Sequence, residues 1–67
     1  MANSTNKPTI DLSKVRYEAF ATILAVAKVL DAAGQRRNGD AFWASAMRLK
    51  DNYDQVVELA RVYVEVT

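Results

Sequence analysis

Apolar residues recur at helical spacing over two long stretches of the chain, 12–33 and 41–66, on either side of the polar segment Gly34-Gln35-Arg36-Arg37-Asn38-Gly39. In the first stretch Leu12, Val15, Ala19, Thr22, Val26, Val29 and Ala33 follow three–four spacing and share one seam. Phe20, Ile23, Ala27 and Leu30 form a second seam beside it, and Leu24 widens the apolar surface further. At about 100° per residue these positions cover more than half of the helix circumference. Lys14, Tyr17, Glu18 and Lys28 mark the solvated strip that remains, with Ala21, Ala25 and Ala32 in its gaps. Asp11 suits the N-cap, with Ser13 as its competitor, and Ile10 and Val15 occupy the two positions of a hydrophobic staple. Gly34 suits the left-handed position that ends a helix.

The second stretch starts after Asp40, a good N-cap behind Asn38-Gly39. Its main seam is Phe42, Ala46, Leu49, Tyr53, Val56, Ala60 and Tyr63, a heptad-like stripe suited to shallow packing against another helix. The polar triplet Lys50-Asp51-Asn52 is a point at which this helix could kink or split; lacking Gly and Pro, it reads as continuous helix. The ending Arg61-Val62-Tyr63-Val64-Glu65-Val66 has strand-like β-branching, but a strand needs a partner and no other segment offers itself as one. The pattern therefore predicts an all-α chain: an antiparallel hairpin of two helices, 12–33 and 41–66, forming a domain over 10–67 behind a flexible tail at 1–9.

Composition turns this pattern toward association. A chain of 67 residues buries a small fraction of its surface and ordinarily leans on disulfides, a metal or oligomerisation. Cys and His are both absent, which removes disulfides, the usual zinc and transition-metal ligand sets, and any thiolate or imidazole nucleophile system. Oligomerisation is the remaining device. A net charge of +1 supplies no global field to draw in nucleic acid or anionic lipid. The longest apolar run, 19–27, is shorter than the roughly 20 residues that a membrane span requires. The absence of Cys suits a cytoplasmic setting. Asp51, Asp54, Glu58 and Glu65 line one side of the second helix, but Lys50 and Arg61 sit at pairing distance from them, as on an ordinary solvated face. The expectation is a non-enzymatic chain without a cofactor.

Two groups of apolar residues lie off the main seam of the second helix. Trp43 and Met47 are four apart, and Leu59, Val62 and Val66 follow at three–four spacing. One hairpin cannot cover both groups together with the two seams of the first helix. Exposed apolar patches of this kind mark interfaces, and a homodimer of hairpins forming a four-helix bundle covers them economically. The leading functional expectation is thus a protein-interaction module (adaptor, chaperone or inhibitor) using Trp43, Met47, Leu59, Val62 and Val66, with a second copy or another protein as partner. The alternatives are a dimeric nucleic-acid-binding protein contacting phosphate through Arg36 and Arg37, helped by Lys14 and Lys28, and a structural subunit of a larger assembly. In size and seam pattern the chain resembles two kinds of small helical hairpin, the plasmid copy-control RNA-binding type and the small chaperones or adaptors of bacterial secretion systems. The resemblance is one of architecture, and architecture alone does not fix function.

Overall fold

The computed structural model describes residues 7–67. In chain order it contains strand β1 (Thr9–Ile10), a 3-10 turn (Ser13–Val15), helix α1 (Ala19–Ala32), helix α2 (Arg36–Ala46), a second 3-10 turn (Met47–Leu49), helix α3 (Tyr53–Tyr63) and strand β2 (Glu65–Val66). Among the described residues the fold is mostly helical, with three α-helices where the sequence pattern predicts two.

The first departure lies before α1. Asp11 does not cap a helix: its Oδ1 accepts the Ser13 N–H at 2.9 Å just ahead of the short turn, which holds its carboxyl below the ordinary 3.8. Helix does not continue from there, because Tyr17 takes the left-handed conformation with φ of 68° and Glu18 is extended. The 3-10 turn still buries Leu12 and half-buries Val15, so the apolar spacing that predicted helix is satisfied by tighter local geometry. The Thr22 hydroxyl donates back to the Val15 carbonyl at 3.4 Å, tying the turn to the start of α1.

Gly34 ends α1 as its type suggests, with φ of 77°; its N–H donates to Asp31 O at 3.0 Å and the Gln35 N–H donates to Leu30 O at 2.8 Å. The expected six-residue loop is shorter, however. Arg36, Arg37, Asn38 and Gly39 already belong to α2, so Asp40 is an interior residue and not its cap. Gly39 is buried within that helix. A Cβ placed there would stand 3.5 Å from the Ala27 carbonyl oxygen and 3.6 Å from the Leu30 Cβ. Gly39 therefore marks a close approach of α2 to α1. Farther along, Trp43 meets Phe20, so progress along α2 runs backward along α1 and the two helices are antiparallel.

The second helix expected over 41–66 is divided. Residues 47–49 tighten into a 3-10 turn, and Asn52, extended at φ −132°, accepts the Gln55 N–H on its Oδ1 at 3.1 Å. This side-chain cap opens α3, and the N-capping chemistry of Asn52 outweighs the helical periodicity that runs through it. The turn lets α3 fold back so that it packs against both α1 and α2. A straight second helix would have covered one side of α1; two shorter ones cover two.

The C-terminal end is a strand, and its partner lies within the same chain. β2 pairs in parallel with β1, with Thr9 opposite Glu65 and Ile10 opposite Val66. The Glu65 N–H donates to Pro8 O and the Thr67 N–H to Ile10 O, both at 2.9 Å, and Lys7 Nζ donates to the Arg61 carbonyl at 3.0 Å. Of the segment 1–9 expected as a tail, 1–6 lie outside the described residues, while 7–9 are joined to the C-terminal end in this way. The core comprises Ile10, Leu12, Ile23, Val26, Leu30, Phe42, Ala46, Val56, Ala60 and Val64. It draws on all three helices and both chain ends, and Phe42 meets Tyr63 edge-on with ring centroids 5.7 Å apart.

The two glycines should respond oppositely to alanine. Gly34→Ala forces a side chain into left-handed geometry and lowers stability by about 1 kcal/mol. Gly39→Ala places its Cβ at ordinary contact distance and removes a helix-interior glycine, raising stability by about 0.5–1 kcal/mol. Denaturant unfolding of both variants measures this; equal signs would refute the assignment of one as a turn and the other as a helix contact.

Candidate interaction surface

The side chains that the core leaves outside are concentrated near the start of α1. Phe20 is 52% exposed and Leu24, one turn later, is 38% exposed. The sequence pattern sets Phe20 in the second seam with Ile23, Ala27 and Leu30 and gives Leu24 as widening the apolar surface; the packing buries Ile23 and Leu30 and leaves Phe20 and Leu24 open. Trp43 stands against Phe20 with ring centroids 6.0 Å apart and planes at 70°, an edge-to-face pair bridging α1 and α2. Phe20, Leu24 and Trp43 thus form an apolar surface contributed by two helices, of which only Trp43 was marked from the sequence. The signal for the other two was their i, i+4 spacing on the flank opposite the Thr22–Val26 seam.

The remaining marked residues separate. Trp43, Met47, Leu59 and Val66 are half-buried and packed against the core. Val62 is 64% exposed. The two off-seam groups do not join into one stripe, because Met47 sits in the 3-10 turn after α2, Leu59 and Val62 on α3, and Val66 on β2. Arg36 and Arg37 are exposed in the first turn of α2, where cations oppose the helix dipole and no acidic residue offsets them. Arg36 and Lys28 line a cleft of about 380 Å³ together with Asp31, Asp40, Ala27, Gly39 and Trp43. Opposite charges are balanced there, so the cleft does not present a basic face. Gly39, lacking a side chain, opens its floor.

A second cleft of about 420 Å³ lies between the 3-10 turn that precedes α1, α3 and the C-terminal end. Tyr17 and Tyr53 meet across it at 5.4 Å, and the Arg16 guanidinium stands 6.0 Å from the Tyr17 ring centre. Arg61 pairs with Glu58 at 3.7 Å on the exposed side of α3, as an ordinary surface pair that contributes little. Among the described residues no group of three or more carboxylates is placed to hold a metal ion, and no helix is long and apolar enough to cross a membrane.

No family model, curated protein or solved structure matches the chain.

Trp43 and Val62 separate structural from peripheral apolar residues. Trp43→Ala removes a half-buried ring that touches both Phe20 and the core, and should cost about 1–3 kcal/mol. Val62→Ala should stay within about 0.5 kcal/mol of the parent. Denaturant midpoints decide between them, and a Val62→Ala loss as large as that of Trp43→Ala would contradict this placement.

Proposed function

We propose that the chain is a non-enzymatic protein-interaction module, and that its docking surface is the face made by Phe20, Leu24 and Trp43. The supporting observation is the exposure of Phe20 and Leu24 beside an already anchored tryptophan. Burying a Phe ring is worth about 1.5–3 kcal/mol, so leaving one half open on a chain this small forgoes stability that the core could have used. Trp43, held edge-on to Phe20 and against the core, offers a rigid aromatic anchor of the type enriched at binding hot spots. The rim of the face alternates in charge through Lys28, Asp31, Arg36 and Asp40, which suits orientation of a protein partner more than attraction of a polyanion.

The test is a surface variant, Phe20→Ser with Leu24→Ser, compared with the parent for helix content and for complex formation with itself and with proteins of the cell of origin. Helix content is expected to persist while association falls by about tenfold or more. Undiminished association in the double variant, or a parent chain that forms no complex of either kind, would overturn the reading.

A further inference from the structure

We propose that Asn38 is a deamidation site and that the folding of α2 holds its reaction back. Asn38-Gly39 is the only Asn-Gly pair in the chain; the other asparagines precede Ser4, Lys7 and Tyr53. Glycine is the follower that favours the reaction, because it has no side chain to restrict the approach of its own nitrogen to the preceding amide. The Gly39 backbone nitrogen gives up its proton and attacks the Asn38 Cγ. A new C–N bond closes a cyclic succinimide, and the side-chain nitrogen leaves with that proton as ammonia. Water then adds to either ring carbonyl and opens the ring. Opening at one carbonyl gives an ordinary aspartate. Opening at the other gives an isoaspartyl linkage, in which the backbone runs through the former side-chain carbon. Water is the only co-reactant, and nothing is oxidised or reduced.

The folded chain opposes this chemistry at both reacting groups. Asn38 and Gly39 lie in the first turn of α2, where helical dihedrals keep the Gly39 nitrogen turned away from the Asn38 side chain. The Gly39 N–H donates to the Gln35 carbonyl at 2.9 Å, so the attacking nitrogen keeps its proton. The Asn38 Nδ2 donates to the Gln35 Oε1 at 2.9 Å, which fixes the amide that would leave. Gln35 therefore acts as a positioning residue, holding the nucleophile through its backbone and the leaving group through its side chain. Gly39 is also buried against Ala27 and Leu30, so the ring can close only after the turn lifts from α1. That turn is the weakly held end of α2. It has no side-chain cap and no acidic residue, and Arg36 and Arg37 set positive charge against the positive end of the helix dipole. The rate of conversion thus reads the population of the open turn. The two products act on it in opposite directions. An aspartate supplies the acidic group that the first turn lacks and favours the helix. An isoaspartyl linkage lengthens the backbone by a carbon, shifts Gly39 out of register with Gln35 and keeps the turn from closing on α1.

The experiment incubates the full chain at neutral pH, folded in buffer and unfolded in guanidinium chloride, and follows conversion at Asn38 by peptide mass spectrometry. The unfolded chain should convert faster by about tenfold or more. Gly39→Ala should suppress conversion in both conditions. Gln35→Ala should speed conversion of the folded chain while leaving the rate in guanidinium unchanged. Gln35→Glu keeps an acceptor oxygen for the Asn38 amide and should keep the rate of the parent. Asn38→Asp should raise the denaturant midpoint, and the isoaspartyl form, separated by chromatography, should lower it. An unfolded chain that does not convert, or equal rates folded and unfolded, overturns the proposal. A folded Gln35→Ala chain that converts no faster than the parent overturns the positioning role of Gln35. Should Gln35→Ala lose its helix content, the parent in rising guanidinium carries the test: conversion should follow the loss of helix, and a rate that stays flat through the transition overturns the gating.

Discussion

α1 carries more apolar surface than one neighbouring helix can cover, and the other elements are arranged around that excess. Ile23, Val26 and Leu30 are fully buried within it, and they are buried against two helices. α2 lies close to α1 at Gly39, where a Cβ would meet the Ala27 carbonyl oxygen and the Leu30 Cβ at ordinary contact distance. α3 reaches it only because the chain turns at Asn52. Without that turn a strip of leucine, isoleucine and valine would be returned to water at about 25 cal/mol per Å² of apolar area. For a domain this small that loss is comparable with the whole stability.

The chain ends serve the same requirement. Two residues per strand make a ladder with few hydrogen bonds, and a short ladder of that kind does not hold by itself. What fixes it is burial: Ile10 from β1 and Val64 just before β2 both lie in the core. Bonds from Glu65 and Thr67 to Pro8 and Ile10 then satisfy backbone groups that this burial would otherwise leave unpaired. The sheet is a closure of the helical core.

How much of this was legible depends on which physical signal each residue carries. Gly34 was legible because a left-handed helix end leaves a clear preference for glycine. Gly39 was misread as a loop residue, because the sequence does not distinguish a glycine that frees the backbone at a turn from one that lies inside a helix. Asn52 displayed the capping residue type, yet the heptad seam running through Leu49, Tyr53 and Val56 argued for continuity. Both signals were real: Leu49 and Val56 do face the core, but from two segments. The strand was assigned to helix because its partner lay in a polar N-terminal segment with no periodicity to announce it. Tyr17 carried no signal, since a tyrosine with positive φ is a tertiary outcome that no local preference predicts. At the surface, Trp43 was found by its type and Phe20 and Leu24 were missed. Their exposure depends on how α2 and α3 divide the circumference of α1, a quantity that spacing alone does not give.

The aromatic residues divide along the same line. Phe42 and Tyr63 close the core edge-on. The pairs Tyr17–Tyr53 and Phe20–Trp43 stand at the start of α1, where Tyr17 is 76% exposed and holds a backbone conformation that costs about 1 kcal/mol or more. Folding alone gives little reason to leave the Tyr17 and Phe20 rings exposed there, because neither belongs to the buried core. Places where a chain departs from its own folding economy are where selection for another purpose is expected. The left-handed Tyr17 also has a geometric effect: it ends the preceding turn and starts α1 only at Ala19. Were the helix to begin near Leu12, the flank carrying Phe20 would be one face of a longer rod. As built, Phe20 and Trp43 form an aromatic edge on the α2 side of α1, and Tyr17 and Tyr53 form a separate one on the α3 side.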